Sequence, residues 1–193
     1  MPLGQQLNYS INNRPSSLSA EAATERVASI VKALRKNTYV SCWTASEHES
    51  HALWRIYCPS TEGVAIRTTL GRLTESARFP VLEVSYEPHD PAAIDGDPLK
   101  LVTQKRPMYS YEHEVRIVHV LDYDNLTNPG RKTVGVQLDW DPEENIEIIR
   151  VHPEAHFLFM ETVTEVVRRL APRLSKNGVP LVAWSEMQSG LPF

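Results

Sequence analysis

Cysteine is scarce in this 193-residue chain, with Cys42 and Cys58 the only two. Two thiols can close at most one bridge, which excludes a disulfide scaffold and leaves apolar burial to build the core. No segment of charged, then apolar, then small residues precedes them, so free thiols in a reducing cytoplasm are expected. Long apolar runs are missing too. The longest extend over a few residues, against the roughly 20 that a membrane-spanning helix requires, so no membrane is expected. Positive charge is not in excess: 20 Lys and Arg stand against 24 Asp and Glu, a formal net charge of -4. Net charge therefore gives no indication of a nucleic-acid partner. There is no Cys-x2-Cys pair and no His-Glu-x-x-His motif. His48 and His51, three apart, are poorly spaced for zinc, and no metal is assigned.

What is present reads as a globular protein, with 41% apolar and 23% charged residues. Residues 1–18, with Asn12, Asn13, Pro15, Ser16 and Ser17, read as a flexible leader. Val27, Ile30, Val31 and Leu34 recur at helical spacing and predict a helix over Ser19 to Lys36. Thr38 to Trp43 is β-rich. Ser46 with Glu49 three residues on reads as a capping box, opening a helix that ends near Tyr57 before Pro59. Strands are expected at Gly63 to Thr69 and Val81 to Tyr86, with a short helix from Leu70 to Ala77 between them. The first of these is expected to share a sheet with Val115 to Leu121. Residues 87–98 hold three prolines and a glycine and read as loop, with a turn or two of helix in Leu99 to Arg106.

Further on, a turn at Asn128 to Gly130 joins the strand ending at Leu121 to one at Val134 to Leu138. Ile146 to Val151 is another strand. A long helix from near Pro153 to Leu170 carries the apolar stripe Ala155, Leu158, Phe159, Thr162, Val163, Val166, Val167 and Leu170. A last strand spans Leu181 to Trp184. The expected architecture is α+β: one domain over residues 19–193, a mixed and mostly antiparallel sheet, flanking helices and a long C-terminal helix.

The chemistry-bearing stretch is Lys105 to Leu121. With residues 112–121 extended, Glu112, Glu114 and Arg116 share a face with Val118 and Val120, so a polar trio opens into an apolar strand. Lys105, Tyr109 and Tyr111 add a cation and two phenols, the mixture that surrounds polar ligands. An arginine flanked by two acids also reads as a structural ion-pair ladder, and both readings stand.

Three ordered patterns carry a resemblance. They are Cys42, Trp43 and Thr44 followed by Trp54, Tyr57 and Gly63; Lys105, Tyr109, Glu112, Glu114 and Arg116 as Lys-x3-aromatic-x2-Glu-x-Glu-x-Arg; and a strand, proline turn and long helix over Ile146 to Leu170, closed by a strand at Leu181. From about residue 40 to 193 the chain resembles an uncharacterised bacterial domain family found in many small cytoplasmic proteins. Residues 1–37 do not match the extra segment with which that family usually begins. Glu112-His113-Glu114 ahead of a core strand also resembles the Glu-x-Glu of ADP-ribosyltransferases. That likeness implies NAD as substrate, with Glu112 and Glu114 stabilising positive charge on the ribose and Trp43 or Trp54 stacking on nicotinamide.

Two other readings remain open. In a non-catalytic binding or regulatory domain, Trp54, Tyr57, Tyr109, Tyr111 and Arg116 frame a nucleotide-like or peptide ligand. In a Mg²⁺-dependent nuclease or hydrolase, Glu112, Glu114 and Lys105 are joined by Asp95 or Asp97. The Trp54 helix is expected to meet Glu112 in a shared cleft.

Overall fold

The computed structural model describes residues 36–88, 99–120 and 135–188, and before them positions 25, 28, 29, 31, 32 and 34. The fold is α+β, with strands β1 Thr38–Thr44, β2 Val64–Arg67, β3 Val81–Glu83, β4 Ser85–Tyr86, β5 Gln104–Lys105, β6 Glu114–Val120, β7 Ile148–Val151, β8 Ser175–Lys176, β9 Val179–Pro180 and β10 Val182–Trp184. The helices are α1 His51–Tyr57, α2 Leu70–Ser76, α3 Lys100–Thr103, α4 Pro142–Asn145 and the long C-terminal α5 Phe157–Leu170, with a 3₁₀ turn at Pro107–Glu112. The chain forms two compact units, Met1–Thr44 with Phe79–Gln137 and Ala45–Arg78 with Leu138–Phe193. Among the described residues no helix is long and apolar enough to cross a membrane.

In the first unit β6 is the central strand, antiparallel to β1 and β3. Its β-branched run makes it suited to burial on both faces, and Val115, Ile117 and Val118 are all buried. The strand begins at Glu114 and not at 112, because His113 adopts a left-handed conformation (φ 43°, ψ 52°) and takes Glu112 into the 3₁₀ turn. Glu112 is therefore out of phase with the strand face that alternation assigns it. The segment Val81 to Tyr86 is also interrupted: β3 pairs with β6, while β4 runs parallel to β5. Val84, buried between them, still donates its amide to the Glu114 carbonyl at 2.9 Å. The described positions before Thr38 are helical, with Leu34 buried and Val31 half-buried; Val27 and Ile30 lie outside the described residues.

The second unit has its own sheet, β10-β7-β2, with β10 parallel and β2 antiparallel to β7. The strand expected to join Val115 to Leu121 thus pairs with Ile148–Val151 instead. Ile146, Val167 and Leu174 form the buried cluster, with Val163, Ala171 and Val182 packed against it. The inner side of α5 is Val163 and Val167, while Leu158 and Leu170 of the expected stripe are 62% and 79% exposed. The helix carries two apolar rows, and periodicity alone does not say which one is covered. It starts at Phe157, where the His156 ring Nδ1 accepts the Leu158 amide.

The expected capping box is replaced by another arrangement. Ser50 caps α1 through the Leu53 amide, and Glu49 turns away to long-range partners. Residues 135–141 have no regular structure, so the described part of the strand expected at Val134 to Leu138 is irregular. The turn at Asn128 to Gly130, Leu121, Asp95 and Asp97 lie outside the described residues.

Candidate functional site

Four charged side chains of the first unit close into one network. The Lys105 ammonium, delivered by β5, lies 2.5 Å from Glu112 Oε2 and 3.2 Å from Glu114 Oε2. From β6, Arg116 reaches back two residues on the same face and grips Glu114 with both Nε (2.8 Å to Oε1) and Nη2 (2.9 Å to Oε2), the fork geometry that arginine supplies and lysine cannot. Its third nitrogen donates to the Val102 carbonyl at the end of α3. Cys42, opposite Arg116 in the β1–β6 register, hydrogen-bonds the Glu114 carboxylate. The Glu114 amide donates to the Tyr86 hydroxyl at 2.7 Å.

Glu112 and Glu114 are only 6% and 5% exposed, so their charges exist here because cations accompany them. Burial by itself would raise the Glu114 pKa. The hydrogen bonds from Arg116, Cys42 and Lys105 and the Arg116 charge outweigh it and hold the carboxyl at about 2. Burial likewise opposes the Lys105 charge, and the bonds to Glu112 and Glu114 raise its pKa in spite of it. Cys42 moves the other way: burial, then the hydrogen bond and charge of Glu114, push its thiol up to about 11. Two acids and two bases leave the network neutral.

The 3₁₀ turn Pro107–Glu112 sits on this network. In a 3₁₀ turn side chains three apart eclipse, which sorts Tyr109 with Glu112 and Met108 with Tyr111. The first pair faces Lys105, whose ammonium is 5.0 Å from the Tyr109 ring centroid. Met108 and Tyr111 are 63% and 42% exposed. Arg106 leans on the same Tyr109 ring, with Cζ 5.5 Å from its centroid and Nη2 3.3 Å from its hydroxyl.

Lys105, Tyr109, Glu112, Glu114 and Arg116 thus come together, and Tyr111 lies on the same turn. Trp43 is on β1, half-buried, its indole donating to Ser41 Oγ at 3.1 Å. Trp54 and Tyr57 belong to the second unit, on α1. There Trp54 is buried, stands edge-on to His152 at 5.2 Å, and donates its indole N–H to Glu49 at 2.9 Å; Tyr57 is exposed. Glu49 also accepts from Ser185 Oγ at 2.5 Å and from the Glu186 amide at 2.9 Å, with Arg150 3.7 Å away. Burial would raise its pKa, but the Ser185, Glu186 and Trp54 hydrogen bonds and the Arg150 charge lower it on balance.

Sequence reasoning missed Cys42 and Tyr86 as partners of Glu114, and Arg106 as a partner of Tyr109. Only Arg106 left a local signal, as the neighbour of Lys105. Among the described residues no three of His, Cys, Asp and Glu gather as a metal ion would require. Compared with family models, curated proteins and solved structures, the chain matches none.

Proposed function

We propose that this is a ligand-binding protein in which the Lys105–Glu112–Glu114–Arg116 network is a rigid base and the turn Pro107–Glu112 the recognition surface. One observation carries the reading: both carboxylates are buried and engaged by Lys105 and Arg116, while Met108 and Tyr111 of the same turn face outward. Binding surfaces gain when their contact residues are held in place beforehand, and a closed, neutral ion network does that for the turn. ADP-ribosyl transfer asks Glu112 or Glu114 to reach a ribose, and a metal-dependent hydrolase asks both to hold Mg²⁺; either task competes with the cations already there. The resemblance to the uncharacterised family is read the same way, since Cys42, Lys105, Tyr109, Glu112, Glu114 and Arg116 of its motifs are residues of this assembly. Two free thiols agree with a reducing compartment, and we place the protein in the cytoplasm.

NAD tests the reading, with released nicotinamide and the tyrosine ring resonances followed in one titration. The expected result is movement of the Tyr109 and Tyr111 resonances without nicotinamide release. Release that disappears in Glu114→Gln would move the assignment to transferase chemistry.

A further inference from the structure

Leu158, Thr162, Val166 and Leu170 follow one another at i+4 along α5 and so form a single ridge of its surface. Leu158, Val166 and Leu170 are 62%, 49% and 79% exposed, and Thr162 is exposed between them. The Thr162 hydroxyl donates to the Leu158 carbonyl at 2.8 Å, inside the helix, so its methyl is what it adds to the ridge. The fold itself uses the other row, in which Val167 is buried and Val163 packs on the core. The charges of the helix are divided along its length. Arg168 and Arg169 both bind Glu165, two guanidiniums on one carboxylate, which leaves positive charge in surplus toward the C-terminal end. Glu161, one turn nearer the N-terminal end, is exposed and forms no ion pair among the described residues.

We propose that this ridge docks on the same ridge of a second copy of the chain, the two α5 helices antiparallel. The ridge is self-complementary. A two-fold axis at the level of Thr164 sets Leu158 against Leu170 of the second copy and Thr162 against Val166, side chains of one shape once the hydroxyl is satisfied within the helix. Ridges at i+4 fit the grooves of an identical helix, which is the commonest way helices pack. The charges select the direction. In the antiparallel pair Arg169 comes level with residue 159 of the second copy, about 3 Å along the axis from its Glu161 at about 1.5 Å per residue, so surplus cation meets unpaired anion on both sides of the axis. The helix dipoles oppose as well. A parallel pair would instead bring Glu161 to Glu161 and Arg169 to Arg169. Four side chains from each copy fall short of the roughly 20 to 30 of a standard interface, so the dimer is a reversible one.

The test is sedimentation equilibrium of the full chain from about 5 to 500 µM, on the wild type, Val166→Lys, Glu161→Arg, Arg169→Glu and the double reversal Glu161→Arg with Arg169→Glu. The wild type is expected to pass from monomer to dimer with a Kd on the order of 10 to 100 µM. Val166→Lys places a cation in the middle of each ridge and should leave a monomer throughout. Each single reversal sets like charges across the axis and should weaken association about tenfold, while the double reversal exchanges the partners and should recover it. Thermal midpoints taken in dilute, monomeric solution separate loss of folding from loss of association, and Val166→Lys should keep the wild-type value because the side chain it replaces is exposed. A wild type that stays monomeric across the range would overturn self-association and leave the ridge to a different chain. A dimer that survives Val166→Lys unchanged would place the interface elsewhere on the molecule and overturn the proposal. Single reversals without effect, or a double reversal that recovers nothing, would overturn the antiparallel arrangement.

Discussion

Glu114 is surrounded by groups that favour its ionised form, and that has a consequence for acid stability. Its folded pKa, about 2, lies below the ordinary value of 4.5. The stability it contributes is therefore fully present above pH 4.5 and is lost as pH falls through that value toward 2. Glu114→Gln removes the contribution and leaves Arg116 and Lys105 short of an anion in a buried place. The variant should lose about 3 kcal/mol near neutral pH, the usual size for breaking a buried pair from one side. Urea unfolding at pH 7 and pH 3 should show the gap between wild type and variant narrowing in acid; a gap independent of pH would contradict the assignment. Cys42 reports on the same carboxylate from the other side. Although the residue is exposed, its thiol bonds Glu114 and is held up at about 11, so alkylation at pH 8 should be slow. In Glu114→Gln the anion is gone while Arg116 and Lys105 remain, and Cys42 should then alkylate faster, as peptide mapping by mass spectrometry would show.

Between residue and fold, the decisive element is the join of the 3₁₀ turn to β6. His113 there has φ 43°, a conformation costing a side chain with a Cβ roughly 1–2 kcal/mol and glycine almost nothing. His113→Gly should hold or raise the thermal midpoint, whereas His113→Val should lower stability by about 1–2 kcal/mol. A destabilised glycine variant would mean that the ring, and not the backbone, matters at this position. This join also marks the limit of reading the site from sequence. Alternation put Glu112 in the strand, because nothing local announces a left-handed histidine. Lys105, Glu112, Glu114 and Arg116 were legible as a group because they crowd into twelve residues. Tyr86 and Cys42 were not, since pairing of β1 and the β4–β5 segment with distant partners brings them in. The same holds for Glu49: its spacing from Ser46 satisfies a local cap, yet Ser185 and Glu186 outcompete that role. At Gly63 the constraint is a neighbouring side chain: a Cβ there would overlap the Cys58 sulfur, so Gly63→Ala should displace that thiol and lower the midpoint.

For the whole molecule, the α+β class and the C-terminal helix were readable because each rests on patterns within one segment. The division into two three-stranded sheets and two short two-stranded ones was not. A short strand such as Val64–Arg67 suits either sheet, and its partner, Ile148–Val151, lies more than eighty residues along the chain, where no local pattern points to it. The path of the chain makes this matter for folding. It enters the first unit with β1, leaves for β2 in the second, returns for β3 to β6, and ends in the second with β7 to β10. Each central strand therefore waits for a partner from across the sequence, and such non-local pairing is slow. A fragment of residues 79–193 keeps β6 and β7 but takes away β1 from one and β2 from the other, leaving two-stranded remnants that are marginal in water. That fragment should melt without a cooperative transition, and adding a fragment of residues 1–78 should restore one, since the missing strands return by association. A sharp thermal transition from residues 79–193 alone, with the circular dichroism expected of paired strands, would show that β1 and β2 are dispensable and that the interleaved path does not bind the two halves of the sequence together.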